Sequence, residues 1–178
     1  MTFDPEIHHH RSIRLRGYDY SRPGTYYFTI CTQGKEHLLG EVVEGETVPN
    51  QPGLMVERIW KQMPPLFPMV ETVEHVVMPN HFHAVFRIAG RDCRGAPCGR
   101  SRAGTRPAPT VGRIVGAFKS LTSAEYIRGV EQSGLPRFEV RFWQRGFYEH
   151  IVRNEDELHK IREYIRTNPA RWERDPYW

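Results

Sequence analysis

Eight residues constrain this chain more than any others: His81-Phe82-His83-Ala84-Val85-Phe86-Arg87-Ile88. Successive side chains on a strand point to opposite faces. Phe82, Ala84, Phe86 and Ile88 therefore share one apolar face, and His81 and His83 share the other. A second run, Tyr26 to Cys31, alternates in the same way and is rich in aromatic and β-branched residues. It predicts a strand over 25–32, entered through the turn Ser21-Arg22-Pro23-Gly24. At 178 residues the chain fits one domain, 1–178, able to bury a core of its own. Hydrophobic residues at 39% and charged residues at 26% place it among folded domains rather than disordered chains. No run of 18 apolar residues spans a membrane, and residues 1–10 have no apolar segment of the secretory kind. Three cysteines (Cys31, Cys93 and Cys98) are too few for a disulfide framework, so reduced thiols and a cytoplasmic location are expected.

The other elements follow from period and punctuation. Residues 38–48 suggest a hairpin bending at Glu44-Gly45. Asn50 is a cap for a helix running to about Met63, with Val56, Ile59, Trp60 and Met63 as its apolar stripe and Pro64-Pro65 as its stop. Strands are expected over 71–77 and 81–88, joined by Met78-Pro79-Asn80. A helix should begin near Thr110 and run to about Val130. Residues 138–143 read as a strand, and 147–152 as a short extended piece. The last helix carries Asn154 as cap, Glu157 three residues on, and a stripe of Leu158, Ile161 and Ile165. Pro169 should end it by pushing the residue before it out of the helical region. Strand, helix, paired strands, helix, strand, helix is an α+β order, suited to a ferredoxin-like, mostly antiparallel sheet with helices packed on it.

Two segments stand apart. Residues 1–20 form a basic N-terminal arm. Residues 89–109 are rich in Gly and Pro, carry Arg91, Arg94, Arg100, Arg102 and Arg106, and show no hydrophobic period. They read as a mobile basic insertion loop. The chain holds 21 Arg and 4 Lys at a net charge of +4. Arginine grips phosphates through a planar fork, so this bias leans toward nucleic acid.

Chemistry concentrates in two places. His81 and His83, two apart on a strand, can share a metal ion. Tyr164 and Asn168, at i and i+4, are neighbours on one helix face. At about 100° per residue Tyr164 lies at the edge of the apolar stripe, able to face a site while its helix packs on the sheet.

Taken together and in order, five segments carry a resemblance: Met78-Pro79-Asn80-His81-Phe82-His83, Trp143-Gln144-Arg145, Tyr148-Glu149-His150, Arg153-Asn154-Glu155 and Glu163-Tyr164-Ile165-Arg166-Thr167-Asn168-Pro169. They resemble the single-tyrosine transposases of the His-hydrophobe-His class, and among them the REP-associated tyrosine transposases. The resemblance covers about residues 11–172. It implies an enzyme that nicks and rejoins single-stranded DNA beside a hairpin through a 5′-phosphotyrosine. It assigns Tyr164 as nucleophile and His81, His83 and Asn168 as ligands of Mg²⁺ or Mn²⁺. Relatives often carry Gln where Asn168 stands. Two imidazoles and one amide would bring no protein charge to the metal.

Along the arm, Arg11, Arg14 and Arg16 suit phosphates or guanine edges, and Tyr18 suits an unpaired base. His150 is a further candidate for DNA contact, and Tyr148 a lesser candidate nucleophile. The expected partner is single-stranded DNA with hairpins, with no membrane, for a monomer or a homodimer. The competing expectation is a hairpin-binding protein, domesticated from a transposase, that does not cut.

Overall fold

The computed structural model describes residues 19–90 and 109–175. Residues 1–18, 91–108 and 176–178 lie outside the described residues, and with them Arg11, Arg14, Arg16, Tyr18, Cys93, Cys98 and nearly all of the 89–109 segment. Strand β1 (Gly24–Cys31) is followed by the hairpin β2 (Gly40–Val43) and β3 (Glu46–Pro49). Helix α1 (Gln51–Lys61) and the short α2 (Met63–Leu66) lead to β4 (Val70–Met78) and β5 (His81–Ile88). Then come α3 (Val111–Ser133), β6 (Tyr148–Val152) and α4 (Glu155–Thr167), which runs on into a 3-10 segment, Pro169–Arg174.

Strands β4, β5, β1 and β6 form an antiparallel sheet in that order. With α1 between β1 and β4, and α3 between β5 and β6, this is the ferredoxin-like arrangement. The hairpin β2–β3 stands as a separate two-stranded sheet, turning through Glu44 and Gly45 at φ of 52° and 80°.

Alternation on the strands creates two layers. Tyr26, Phe28 and Ile30 of β1 join Phe82, Ala84, Phe86 and Ile88 of β5 against Trp60 of α1 and Phe118 of α3. Their rings meet largely edge to face; the Phe28–Trp60 centroids lie 5.3 Å apart. The opposite face carries a smaller apolar layer, Tyr27 and Val85 packed on Leu158 and Ile165 of α4. Arg162 and Arg166 latch α4 onto β4 through Glu74, at 3.2 and 2.8 Å. The histidines of β5 therefore open into the thinner, more polar layer.

Helix starts obey their caps. Asn50, Thr110 and Asn154 each accept a hydrogen bond from the backbone N–H three residues on. At Gly53 a Cβ would collide with the Leu39 carbonyl oxygen, so only glycine lets α1 approach the hairpin this closely.

Three local expectations need correction. Residues 138–143 form no strand; the segment makes a single bridge, Thr32 to Trp143. Phe142 and Trp143 are both buried although adjacent, which a strand's alternation forbids. Phe142 stacks on Tyr126 at 4.6 Å, while the Trp143 indole donates to Thr122 Oγ1 at 2.8 Å. Pro64 and Pro65 do not stop α1, which ends at Lys61. They sit in the first turn of α2, where a missing N–H costs no helical bond. Asn168 keeps helical angles (φ −57°, ψ −44°) despite the proline after it. Pro169 tightens the helix into 3-10 geometry instead of breaking it, which carries the chain on to Asp175.

Candidate metal and tyrosine site

The site begins at the two-residue turn between β4 and β5. The carbonyl of Pro79 accepts from Leu39 N, and that of Asn80 from Thr32 N and Thr32 Oγ1. The turn is thereby pinned to the segment following β1. Cross-strand register then sets His81 opposite Cys31 and His83 opposite Thr29. Both imidazoles are fully buried, and their Nε2 atoms face each other at 2.9 Å.

The outer ring nitrogens are held as well. Asn80 Nδ2 donates to the Lys35 carbonyl, which leaves Asn80 Oδ1 as the acceptor 2.8 Å from His81 Nδ1. His81 therefore carries its proton on Nδ1 and turns a lone pair at Nε2 toward its neighbour. His83 Nδ1 lies 2.8 Å from both Tyr27 Oη and Thr29 Oγ1. Hydroxyls can accept as well as donate, so His83 too can free Nε2 by donating through Nδ1. Burial holds His81 down at about 4, against the pull of the nearby Asp175 carboxylate. Burial and the neighbouring His81 hold His83 well below the usual imidazole value. Both rings are neutral at neutral pH, the state a metal requires.

Helix α4 brings the rest. Its apolar stripe seats Leu158 and Ile165 on the sheet, which turns half-buried Tyr164 toward β5. The Tyr164 ring meets His83 edge-on at 5.4 Å. Asn168, one turn later, is buried. Its Nδ2 donates to Asp175 Oδ2 at 2.6 Å, and Tyr164 Oη donates to the same oxygen at 3.3 Å. The other amide atom, Asn168 Oδ1, is buried without a hydrogen-bond partner among the described residues. A bare acceptor oxygen on the residue that binds Asp175, itself grouped with both imidazoles, fits a cation, because an unpaired buried carbonyl is otherwise costly.

Asp175 is the residue the spacing arguments missed. His81, His83 and Asp175 can each bring a ligand atom within 4.8 Å of the others, and all three are buried. The ligand set the resemblance implies, two imidazoles and one amide, holds no carboxylate; the Asp175 carboxylate stands beside it. Asp175 lies 94 positions from His81, beyond any local motif, and only the 3-10 turn after Pro169 delivers it. Trp172 of that turn packs on His81 at 5.8 Å. Tyr27 and Thr29 left a fainter signal, as polar residues on the face of β1 opposite its core.

His81, His83, Tyr164 and Asn168 are therefore brought together within one chain. His150 is not among them. It stands opposite Tyr27 on β6, and its Nε2 meets Glu157 Oε1 at 2.7 Å. Glu157 Oε2 also accepts from Arg153 N at 2.7 Å. Glu157 therefore does not close the box on the capping residue itself.

An antiparallel ferredoxin-like sheet with a facing histidine pair, and a tyrosine helix laid over it, defines a class of domain. Known proteins share that fold. A REP-associated tyrosine transposase, solved bound to a REP hairpin, superposes with a TM-score of 0.58 at 19% identity, over 89% of this chain and 73% of its own. A protein from Deinococcus radiodurans, named a putative transposase, superposes at 0.50 with 15% identity, over 86% of this chain and 95% of its own. The chain belongs to the same family as an uncharacterized protein of Haemophilus influenzae, 37% identical over 97% of this chain and 95% of that one. A second Haemophilus influenzae protein, named "Putative REP-associated tyrosine transposase", is 23% identical over 86% of this chain and 74% of its own length. No family model matches.

Proposed function

We propose that this protein is a metal-dependent, single-tyrosine DNA transposase that nicks and rejoins single-stranded DNA beside hairpins. One observation carries the reading. Two facing neutral imidazoles meet a phenol on one face of the sheet, and the Asp175 carboxylate joins that phenol to the buried Asn168 amide. His81, His83 and Asn168 Oδ1 would hold a divalent cation, Mn²⁺ or Mg²⁺, with the Asp175 carboxylate adding charge beside them. Imidazole favours Mn²⁺ of the two. Bound there, the cation supplies Lewis acidity to a scissile phosphate and to its departing oxygen.

Tyr164 supplies the nucleophile. A free tyrosine titrates near 10, so only about 0.1% is phenolate at pH 7. Asp175 Oδ2, already the acceptor of the phenol's hydrogen bond, takes its proton as attack begins. A bond forms from Tyr164 Oη to phosphorus as the P–O3′ bond breaks; the departing 3′-oxygen takes a proton from solvent, to which Asp175 releases the one it accepted. The products are a 5′-phosphotyrosine and a free 3′-hydroxyl. Attack by a 3′-hydroxyl reverses these bond changes and restores the phenol, so rejoining needs no ATP. All groups come from one chain, so a monomer can assemble the site.

Hairpin DNA is the partner to test, since the solved transposase of like fold holds a REP hairpin. Arg11, Arg14, Arg16 and Tyr18 of the arm, with His150, are proposed to contact the strand flanking it. The test uses 3′-labelled single-stranded oligonucleotides carrying hairpins from the gene's own flanks, with Mn²⁺ or Mg²⁺. A covalent protein–DNA band on a denaturing gel is expected, lost in Tyr164→Phe and in His81→Ala. A band that survives Tyr164→Phe moves the nucleophile elsewhere, with Tyr148 next. A hairpin-specific shift on a native gel without any band makes the protein a binding module.

A further inference from the structure

A cleft of about 400 Å³ opens between β6 and α4, lined in part by Tyr27, Tyr148, His150, Lys160, Ile161 and Tyr164. Its walls do not include His81 or His83, so it is separate from the cluster that would hold a cation. Its lining combines aromatic and apolar surface with a few polar tips. Tyr148 is half-buried and meets Tyr27 edge to face, with centroids 6.0 Å apart at 66°. Such a contact consumes one face of one ring and only the edge of the other, so stacking surface remains. The acid in the cleft is already engaged: Glu157 is tied to His150 Nε2 and to Arg153 N. Both of its oxygens therefore already accept hydrogen bonds. Lys160 is exposed at the cleft.

Tyr164 lines this cleft and also touches the histidine cluster. A strand that places a phosphate at Tyr164 Oη must place a flanking nucleotide beside that ring. Single-stranded DNA is gripped by aromatic faces for its bases and by cations for its backbone. We infer that the cleft is a nucleobase site. It takes one unstacked base of the strand flanking the scissile phosphate, with Tyr148 as stacking platform and Lys160 on the adjoining backbone. The inference rests on the reading of Tyr164 as a DNA nucleophile for the path of the strand. It adds what that reading lacks, which is a grip on the nucleotide next to the reacting bond.

The probe is a set of hairpin oligonucleotides with 2-aminopurine walked one position at a time through the single-stranded flank. On binding the wild-type chain, fluorescence should fall several-fold at one position and much less at the others. Tyr148→Leu keeps apolar bulk but removes the ring. It should abolish that quench and weaken binding about tenfold. Tyr148→Phe should keep both, and thermal melts check that each variant is folded. Quenching at no position, or quenching and affinity unchanged in Tyr148→Leu, overturns the base site. The covalent band is read on the same oligonucleotides. A Tyr148-dependent quench without a band supports the base site while the cleavage reading fails. A band without any Tyr148-dependent quench overturns the base site and leaves cleavage standing.

Discussion

His81 and His83 are neutral because they are buried, and that neutrality depends on pH. An unfolded imidazole titrates near 6.5, whereas burial holds His81 at about 4 in the fold. A folded value below the unfolded one means stability that is fully present above about pH 6.5 and lost as pH falls toward 4. For His81 alone the loss is on the order of 3 kcal/mol. Metal-free protein should therefore show a denaturation midpoint that drops between pH 7 and 4.5, and His81→Gln should lessen that drop while the share of buried His83 remains. Asp175 invites a different test. Its Oδ2 accepts from both Asn168 Nδ2 and Tyr164 Oη, so it fixes which way the amide oxygen points. Asp175→Asn should weaken Mn²⁺ binding about tenfold or more by calorimetry. Of these residues the histidine pair and the Tyr164/Asn168 spacing were legible, because each pair is local: two apart on a strand, four apart on a helix. Asp175 was not, because no sequence period links a residue after a 3-10 turn to a strand 94 positions earlier.

Helix α4 is the element on which the site depends, since it carries Tyr164 and Asn168 and leads to Asp175. Its start is set by Asn154, which accepts from Glu157 N at 2.8 Å. Glu157 in turn holds Arg153 N and His150, joining the helix start to the end of β6. Asn154→Ala should cost about 1 kcal/mol. In a thermal melt this amounts to a fall of about 2–4 °C for a chain of this length. Caps and stripes made this helix readable, as they did α1 and α3. The segment 138–143 was misread for a physical reason. Its aromatics satisfy a strand's composition, yet Phe142 and Trp143 are buried side by side because Tyr126 and Thr122 of α3 take them in different ways. Contacts with the preceding helix α3 overrode the local preference.

For the molecule as a whole, a cation held between β5 and the α4 region would bind the folded chain and not the unfolded one. At a hundredfold excess over its dissociation constant, Mn²⁺ should add about 2.7 kcal/mol of stability. That corresponds to a rise in melting temperature of about 5–10 °C. His81→Ala should abolish the rise. Among the described residues no helix is long and apolar enough to cross a membrane. The sequence by itself determined the strands and the main helices, and the two faces of β5. Hydrophobic period, caps and alternation act over a few residues and are written in order along the chain. Only the tertiary structure decided that α4 lies over the histidine face, that the Asn168 oxygen is buried and bare among the described residues, and that Asp175 accepts from both the Asn168 amide nitrogen and Tyr164. Those outcomes depend on burial and on contacts between segments far apart in the chain, which no local pattern encodes.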